Sequence, residues 1–183
     1  MAQARRRRYN PFRAGSPELS RVAASSVMVA PRPSRSRVEI SRPVLAALRD
    51  RTEESTQLYV REGDRRICVA SVERTGGGLR DAVPVGAVLP LEQGSGGRVL
   101  LAWSEDGPVS RDLAETRARG WAESVAEREV GVASVSAPVF GPDGRLKAAV
   151  CASGPVSRLG EHPGERLAEM VVAAAREIEA QIR

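Results

Sequence analysis

Few residues in this chain could carry out chemistry. The one histidine, His162, stands beside Pro163, and the two cysteines, Cys68 and Cys151, lie in runs of alternating apolar residues. A transfer or hydrolytic reaction needs a positioned nucleophile, a base and a group that orients them. A Cys151–His162 pair is conceivable, yet no third group accompanies it and Cys151 is expected inside a strand. One histidine and two widely separated cysteines give no zinc-ligand spacing. The thiols fit small buried hydrophobes of a reducing cytoplasm. These residues predict neither an enzyme nor a bound metal or cofactor.

Binding chemistry is better represented. Gly94-Ser95-Gly96-Gly97 stands at the start of a helical pattern through Val99, Leu100, Leu101 and Trp103. Unpaired N–H groups and the positive end of the helix dipole could there hold a carboxylate. Ser134, Cys151 and Ser153 fall in apolar strands, where a buried hydroxyl or thiol needs a partner that a ligand oxygen could supply. Each feature also has a purely structural account: the serines can satisfy nearby backbone, Cys151 can pack, and the glycines can serve the loop.

The elements that must position these residues follow from periodicity. Ser41 suits an N-cap, Pro43 a first turn, and Val44, Leu45 and Leu48 recur at helical spacing. Thr56–Val60 and Ile67–Val72 flank Glu62-Gly63-Asp64 as a hairpin. Gly76–Gly78 is a loop, residues 82–89 are extended, and a helix follows Ser110 and closes at Gly120. Val132–Phe140 and Leu146–Ser153 form a second hairpin around Gly141-Pro142-Asp143-Gly144. A last helix from about Gly164 carries Leu167, Met170, Val171, Ala174 and Ile178 on one stripe. Hairpins on either side of helices predict an α+β domain with a mainly antiparallel sheet and helices over its faces.

Composition sets further bounds. With 42% hydrophobic and 28% charged residues the chain can bury a core, but aromatics at 3% leave no platform on which bases could stack. No apolar run approaches a membrane span, and Ser25 and Ser26 interrupt the stretch that would have to serve as the apolar part of an export signal. A cytoplasmic protein is expected. Residues 1–43 hold ten arginines, among them Arg5, Arg6, Arg7 and Arg8, against only Glu18 and Glu39, whereas residues 44–183 are net acidic. The first 43 residues therefore suggest a basic, irregular tail able to contact DNA phosphates without reading bases, and residues 44–183 the folded domain.

Several segments, in order, are similar to the effector domain of IclR-type bacterial transcriptional regulators. Val44-Leu45-Ala46-Ala47-Leu48 with Glu54 and Leu58, Val85-Gly86 with Leu89-Pro90-Leu91, and Gly97-Arg98-Val99-Leu100-Leu101-Ala102 each resemble a landmark of that family. So do Arg119-Gly120-Trp121 through Glu129-Val130-Gly131-Val132, Ala137-Pro138-Val139-Phe140, Asp143-Gly144, Ser153-Gly154-Pro155 and Arg158-Leu159. The resemblance implies a GAF-like sheet with a pocket between sheet and helices, lined by Ser95, Gly96, Gly97, Ser124, Ser134, Cys151 and Ser153. It implies a small, carboxylate-bearing effector and assembly into a homodimer or homotetramer. The family's N-terminal winged helix-turn-helix is expected to be missing or degenerate here, which leaves a non-sensing oligomerisation module as the alternative.

Overall fold

The computed structural model describes residues 35–104 and 110–182. Arg5 to Arg8, with the rest of the chain before residue 35, lie outside the described residues.

Helix α1 (Arg35–Thr52) starts six residues before the expected cap at Ser41. Val38, Ser41, Leu45, Leu48 and Thr52 recur every three or four residues, so one stripe runs the length of the helix. Ser41 occupies a buried position on that stripe, and its hydroxyl donates to the Val38 carbonyl at 3.0 Å instead of capping. Residues 35–43 are therefore helical and not an irregular tail, with Pro43 in the helix interior. The helix ends where the Thr52 hydroxyl donates back to the Leu48 carbonyl at 2.8 Å.

Strands β1 (Ser55–Glu62) and β2 (Arg65–Val72) form the first hairpin, and β3 (Val88–Pro90) pairs with β2. Helix α2 (Gly94–Ala102) follows, then α3 (Arg111–Arg119), whose N-cap hydroxyl on Ser110 accepts from Leu113 N and whose last turn closes at Gly120. The second hairpin is β5 (Val132–Phe140) with β6 (Leu146–Pro155). Two short elements escaped the periodicity reading: β4 (Ala122–Val125) and α4 (Val156–Leu159), each of only four residues. Helix α5 (Pro163–Gln181) completes the chain. Among the described residues no helix is long and apolar enough to cross a membrane.

The six strands make one antiparallel sheet in the order β3-β2-β1-β6-β5-β4, with the two hairpins joined where β1 pairs β6. This is the α+β architecture that the alternation of hairpins and helices indicated. Period-2 alternation sends Leu58, Val135 and Val150 to one face, where Leu45, Leu48, Leu167, Val171 and Ile178 of α1 and α5 cover them. Tyr59, Cys68, Ala149 and Cys151 point to the other face, under Val99 and Leu100 of α2.

The α2 face is unusual in being polar as well as covered. Along β5, Ala133, Val135 and Ala137 take the apolar side, which leaves Ser134 and Ser136 on the side that would face water in a half-buried strand. Here α2 lies over them, and Ser136 is fully buried. The close approach depends on Gly97, where a Cβ would overlap the Leu91 carbonyl oxygen, and on Gly96, where it would lie 3.1 Å from the Tyr59 ring. Gly97→Ala should therefore cost about 2–3 kcal/mol by overpacking against backbone, measured as a shift in the urea midpoint. A loss below about 0.5 kcal/mol would mean that α2 is not seated as described.

Candidate ligand-binding site

Between the N-terminal turn of α2 and the sheet lies a cavity of about 20 Å³, lined by Tyr59, Arg66, Asp81, Gly94, Ser95, Gly96, Ser124, Arg128, Val132, Ser134, Cys151 and Ser153. Six of the seven residues expected to line a pocket, Ser95, Gly96, Ser124, Ser134, Cys151 and Ser153, are thus brought together. Gly97 is not among them; a Cβ there would overlap the Leu91 carbonyl and the Arg66 guanidinium.

The serines form one network. Ser95 Oγ lies 2.7 Å from Ser134 Oγ and 2.8 Å from Ser136 Oγ, and Ser124 Oγ lies 3.0 Å from Ser134 Oγ. β4 is the element that carries Ser124 to this cluster, directly opposite Ser134 in register. Ser153 donates to Gln57 Oε1 at 3.1 Å. Each hydroxyl thus has a partner within the protein, which removes the cost of burying it alone.

The expectation that the N-terminus of α2 is open to a carboxylate needs correction. Gly94 N donates to Glu127 Oε2 at 3.0 Å and Ser95 N to Ser124 Oγ at 3.1 Å, so side chains of the chain itself already cap the helix. The Glu127 carboxylate also pairs with Arg98 at 2.7 Å. The physical argument for an anion there holds, but the anion is internal.

The residue that sequence reasoning missed is Arg66. Only 2% exposed, it lies in phase with the buried Cys68 of β2, which places it on the α2 face. Its Nη1 donates to the carbonyls of Pro90 and Gln93, and its guanidinium lies 5.2 Å from the Tyr59 ring centroid, a cation–π contact. No carboxylate among the described residues forms an ion pair with it, and its Nε is buried with no hydrogen-bond partner. Burial lowers its pKa from the usual arginine value. Gln57 Nε2 is a second buried donor without a partner, and its side chain reaches Ser153 at the same cavity. By contrast, Arg128 and Asp81, at the cavity edge, pair with each other at 2.7 Å.

The thiols do not act as a catalytic pair with the histidine. Cys151 is buried on the α2 face, whereas His162 is exposed at the start of α5, which packs on the opposite face. Burial is the main reason that the Cys68 thiol is pushed up to about 12 and that the pKa values of Cys151 and Tyr59 are raised as well. All three acids ionise more readily in the unfolded chain than in the fold. For Cys68 the linked stability is therefore complete below about pH 8.5 and is lost as pH rises towards 12, at about 1.4 kcal/mol per pH unit, and Cys151 and Tyr59 add losses of the same sign above their unfolded values. Thermal melts from pH 8 to 11 should fall steeply, and less steeply in Cys68→Ala. Equal slopes in the two proteins would contradict the burial of that thiol.

The family model described as the C-terminal domain of the bacterial transcriptional regulator IclR matches residues 34–111 and 107–180. The HTH-type transcriptional regulator BhcR of Paracoccus denitrificans is 28% identical, across 77% of this chain and 58% of its own length. The transcriptional repressor IclR of Escherichia coli is 24% identical, across 79% and 62%. A solved IclR-family structure from Rhodococcus sp. has a TM-score of 0.69 at 29% identity, covering 78% of this chain and 64% of that one. The transcriptional regulator YaiJ has a TM-score of 0.71 at 27% identity, covering 80% and 94%. The chain thus spans about three fifths of the length of the curated relatives it matches, and those relatives are named for control of transcription, not for a reaction. On the family match across nearly all the described residues, this chain belongs to the IclR family of bacterial transcriptional regulators and carries its C-terminal domain.

Proposed function

We propose that the chain is the effector-sensing part of a regulator, and that the cavity under α2 receives a small carboxylate whose occupancy biases assembly and DNA binding. The observation that carries this reading is the unpartnered buried Nε of Arg66, a residue that lines a polar cavity, with the unpartnered Nε2 of Gln57 behind Ser153 of the same lining. Leaving buried donors unsatisfied costs about 1–3 kcal/mol each, and an anion would offset both. Arg66, Arg128 and Asp81 together leave one positive charge, which a monoanion neutralises and a dianion overshoots. The serine hydroxyls suit a hydroxyl or keto group on the remainder of the ligand.

The competing reading, a non-sensing oligomerisation module, draws on the size of the cavity. About 20 Å³ admits one water molecule and no carboxylate. Thermal melts against a panel of two- to six-carbon carboxylates separate the two readings. A ligand at a hundredfold excess over its Kd should stabilise by about 2.7 kcal/mol and raise Tm by roughly 5–10 °C, and Arg66→Met should abolish the rise. If no compound shifts Tm, or if the shift survives Arg66→Met, the sensing reading fails at this cavity.

A further inference from the structure

We propose that residues 126–131, the connection between β4 and β5, are a hinged flap over this cavity, latched shut by Glu127 on the N-terminus of α2 and by Arg128 on Asp81. The inference rests on the sensing reading above and adds to it how the site opens.

Both ends of the segment turn sharply where the β4–β5 hairpin closes. Ala126 holds φ +57° and Gly131 φ +84°, left-handed conformations in which the backbone reverses, and Ala126 N donates to Val132 O at 2.8 Å. Between them, Glu127, Glu129 and Val130 are exposed, Val130 at 92%, and none of these residues joins either hydrophobic cluster. The flap is held to the body by polar contacts instead. Glu127 accepts from Gly94 N at 3.0 Å and pairs with Arg98 at 2.7 Å, and Arg128 reaches across to Asp81 in the β2–β3 loop at 2.7 Å. Opening it breaks these contacts and exposes almost no apolar surface, the property of segments at the low-stability end of a fold.

The cavity requires such an opening. Arg128 of the flap forms part of its wall, and a volume of about 20 Å³ holds nothing larger than a water molecule. The Glu127 carboxylate holds the α2 N-terminal amide beside Arg66, whose Nη2 lies 3.3 Å from the Cβ position of Gly94. A carboxylate seated on Arg66 Nε uses a donor that Glu127 leaves free, so Glu127 acts as a latch and not as a rival for that site. Release of Glu127 from Gly94 N and Arg98 frees the flap.

Cys151 provides a readout that needs no ligand, because it lines the cavity, whereas Cys68 is buried on the same sheet face outside it. The full chain and its Asp81→Asn and Glu127→Gln variants are treated with N-ethylmaleimide at fixed pH, and modification of each cysteine is followed by peptide mass spectrometry. Both variants should accelerate modification of Cys151 at least tenfold, and Cys68 should stay unchanged in Glu127→Gln, which leaves in place the Asp81 charge that acts on both thiols. Unaltered Cys151 rates would overturn the flap, as would equal acceleration of Cys68 in Glu127→Gln, which reports global unfolding. The two proposals also fail separately: a carboxylate that raises Tm through Arg66 while both variants leave Cys151 unchanged sinks the flap alone, and selective Cys151 exposure with no carboxylate binding sinks the sensing reading.

Discussion

Arg158→Ala should lower the stability of the fold by about 3–5 kcal/mol, the largest loss expected from any single charge removal in the domain. The guanidinium of Arg158 donates to Glu54 from Nε and Nη2, both at 2.7 Å, in a two-pronged pair. Glu54 is only 1% exposed and lies between α1 and β1, whereas Arg158 lies on α4 after β6, so the pair sits at one end of the central β1–β6 pairing and ties the segment entering β1 to the one leaving β6. Removing the arginine leaves a carboxylate enclosed by backbone: a Cβ on Gly154 would overlap it. Exposed pairs such as Arg111–Glu115, by comparison, should contribute well under 1 kcal/mol. Urea unfolding of Arg158→Ala and Arg111→Ala compares the two directly. A loss below about 1 kcal/mol in Arg158→Ala would show that water reaches Glu54 and that the pair is only a surface contact.

The second large effect concerns DNA. The chain should bind a random duplex about a thousandfold more weakly at 200 mM salt than at 50 mM if six phosphates are contacted. Its arginines are concentrated before residue 43, and residues 44–183 are net acidic and should repel a duplex overall. Arginines that meet only phosphates would supply affinity without base-edge readout. Because α1 begins at Arg35, the informative truncation removes residues 1–34, keeps the helix, and should abolish binding. Fluorescence anisotropy with random and candidate operator duplexes tests this. Strong preference for an operator at physiological salt would contradict a tail that only neutralises phosphates.

The strands and the last helix were legible because their signals are long. Val132–Phe140 spans nine residues with alternation from Ala133 to Ala137, and the α5 stripe runs from Leu167 to Ile178. β4 and α4, at four residues each, fall below what periodicity can register, and tertiary pairing alone makes them regular. Glu54 and Arg158 were both noted as members of family-like segments, but their pairing across 104 residues is a property of the closed sheet. The site divides in the same way. Ser124, Ser134, Cys151 and Ser153 were found through a resemblance and by the oddity of polar groups in apolar strands. Arg66 stands beside Arg65 and a turn, and its phase with Cys68 is the one signal in the sequence that points it inward. Asp81 and Arg128 come from irregular segments where spacing carries no directional information.

The central claim is that Arg66 and Gln57 are kept unsatisfied for an anion. A crystal structure of the chain with the carboxylate that gives the largest rise in Tm tests it most directly. The account predicts that carboxylate oxygens will lie within hydrogen-bond distance of Arg66 Nε and Gln57 Nε2, in a cavity grown well beyond about 20 Å³. A ligand seated instead in the open groove beside Trp103 and Phe140, about 530 Å³ in volume, with the Arg66 cavity unchanged, would contradict it.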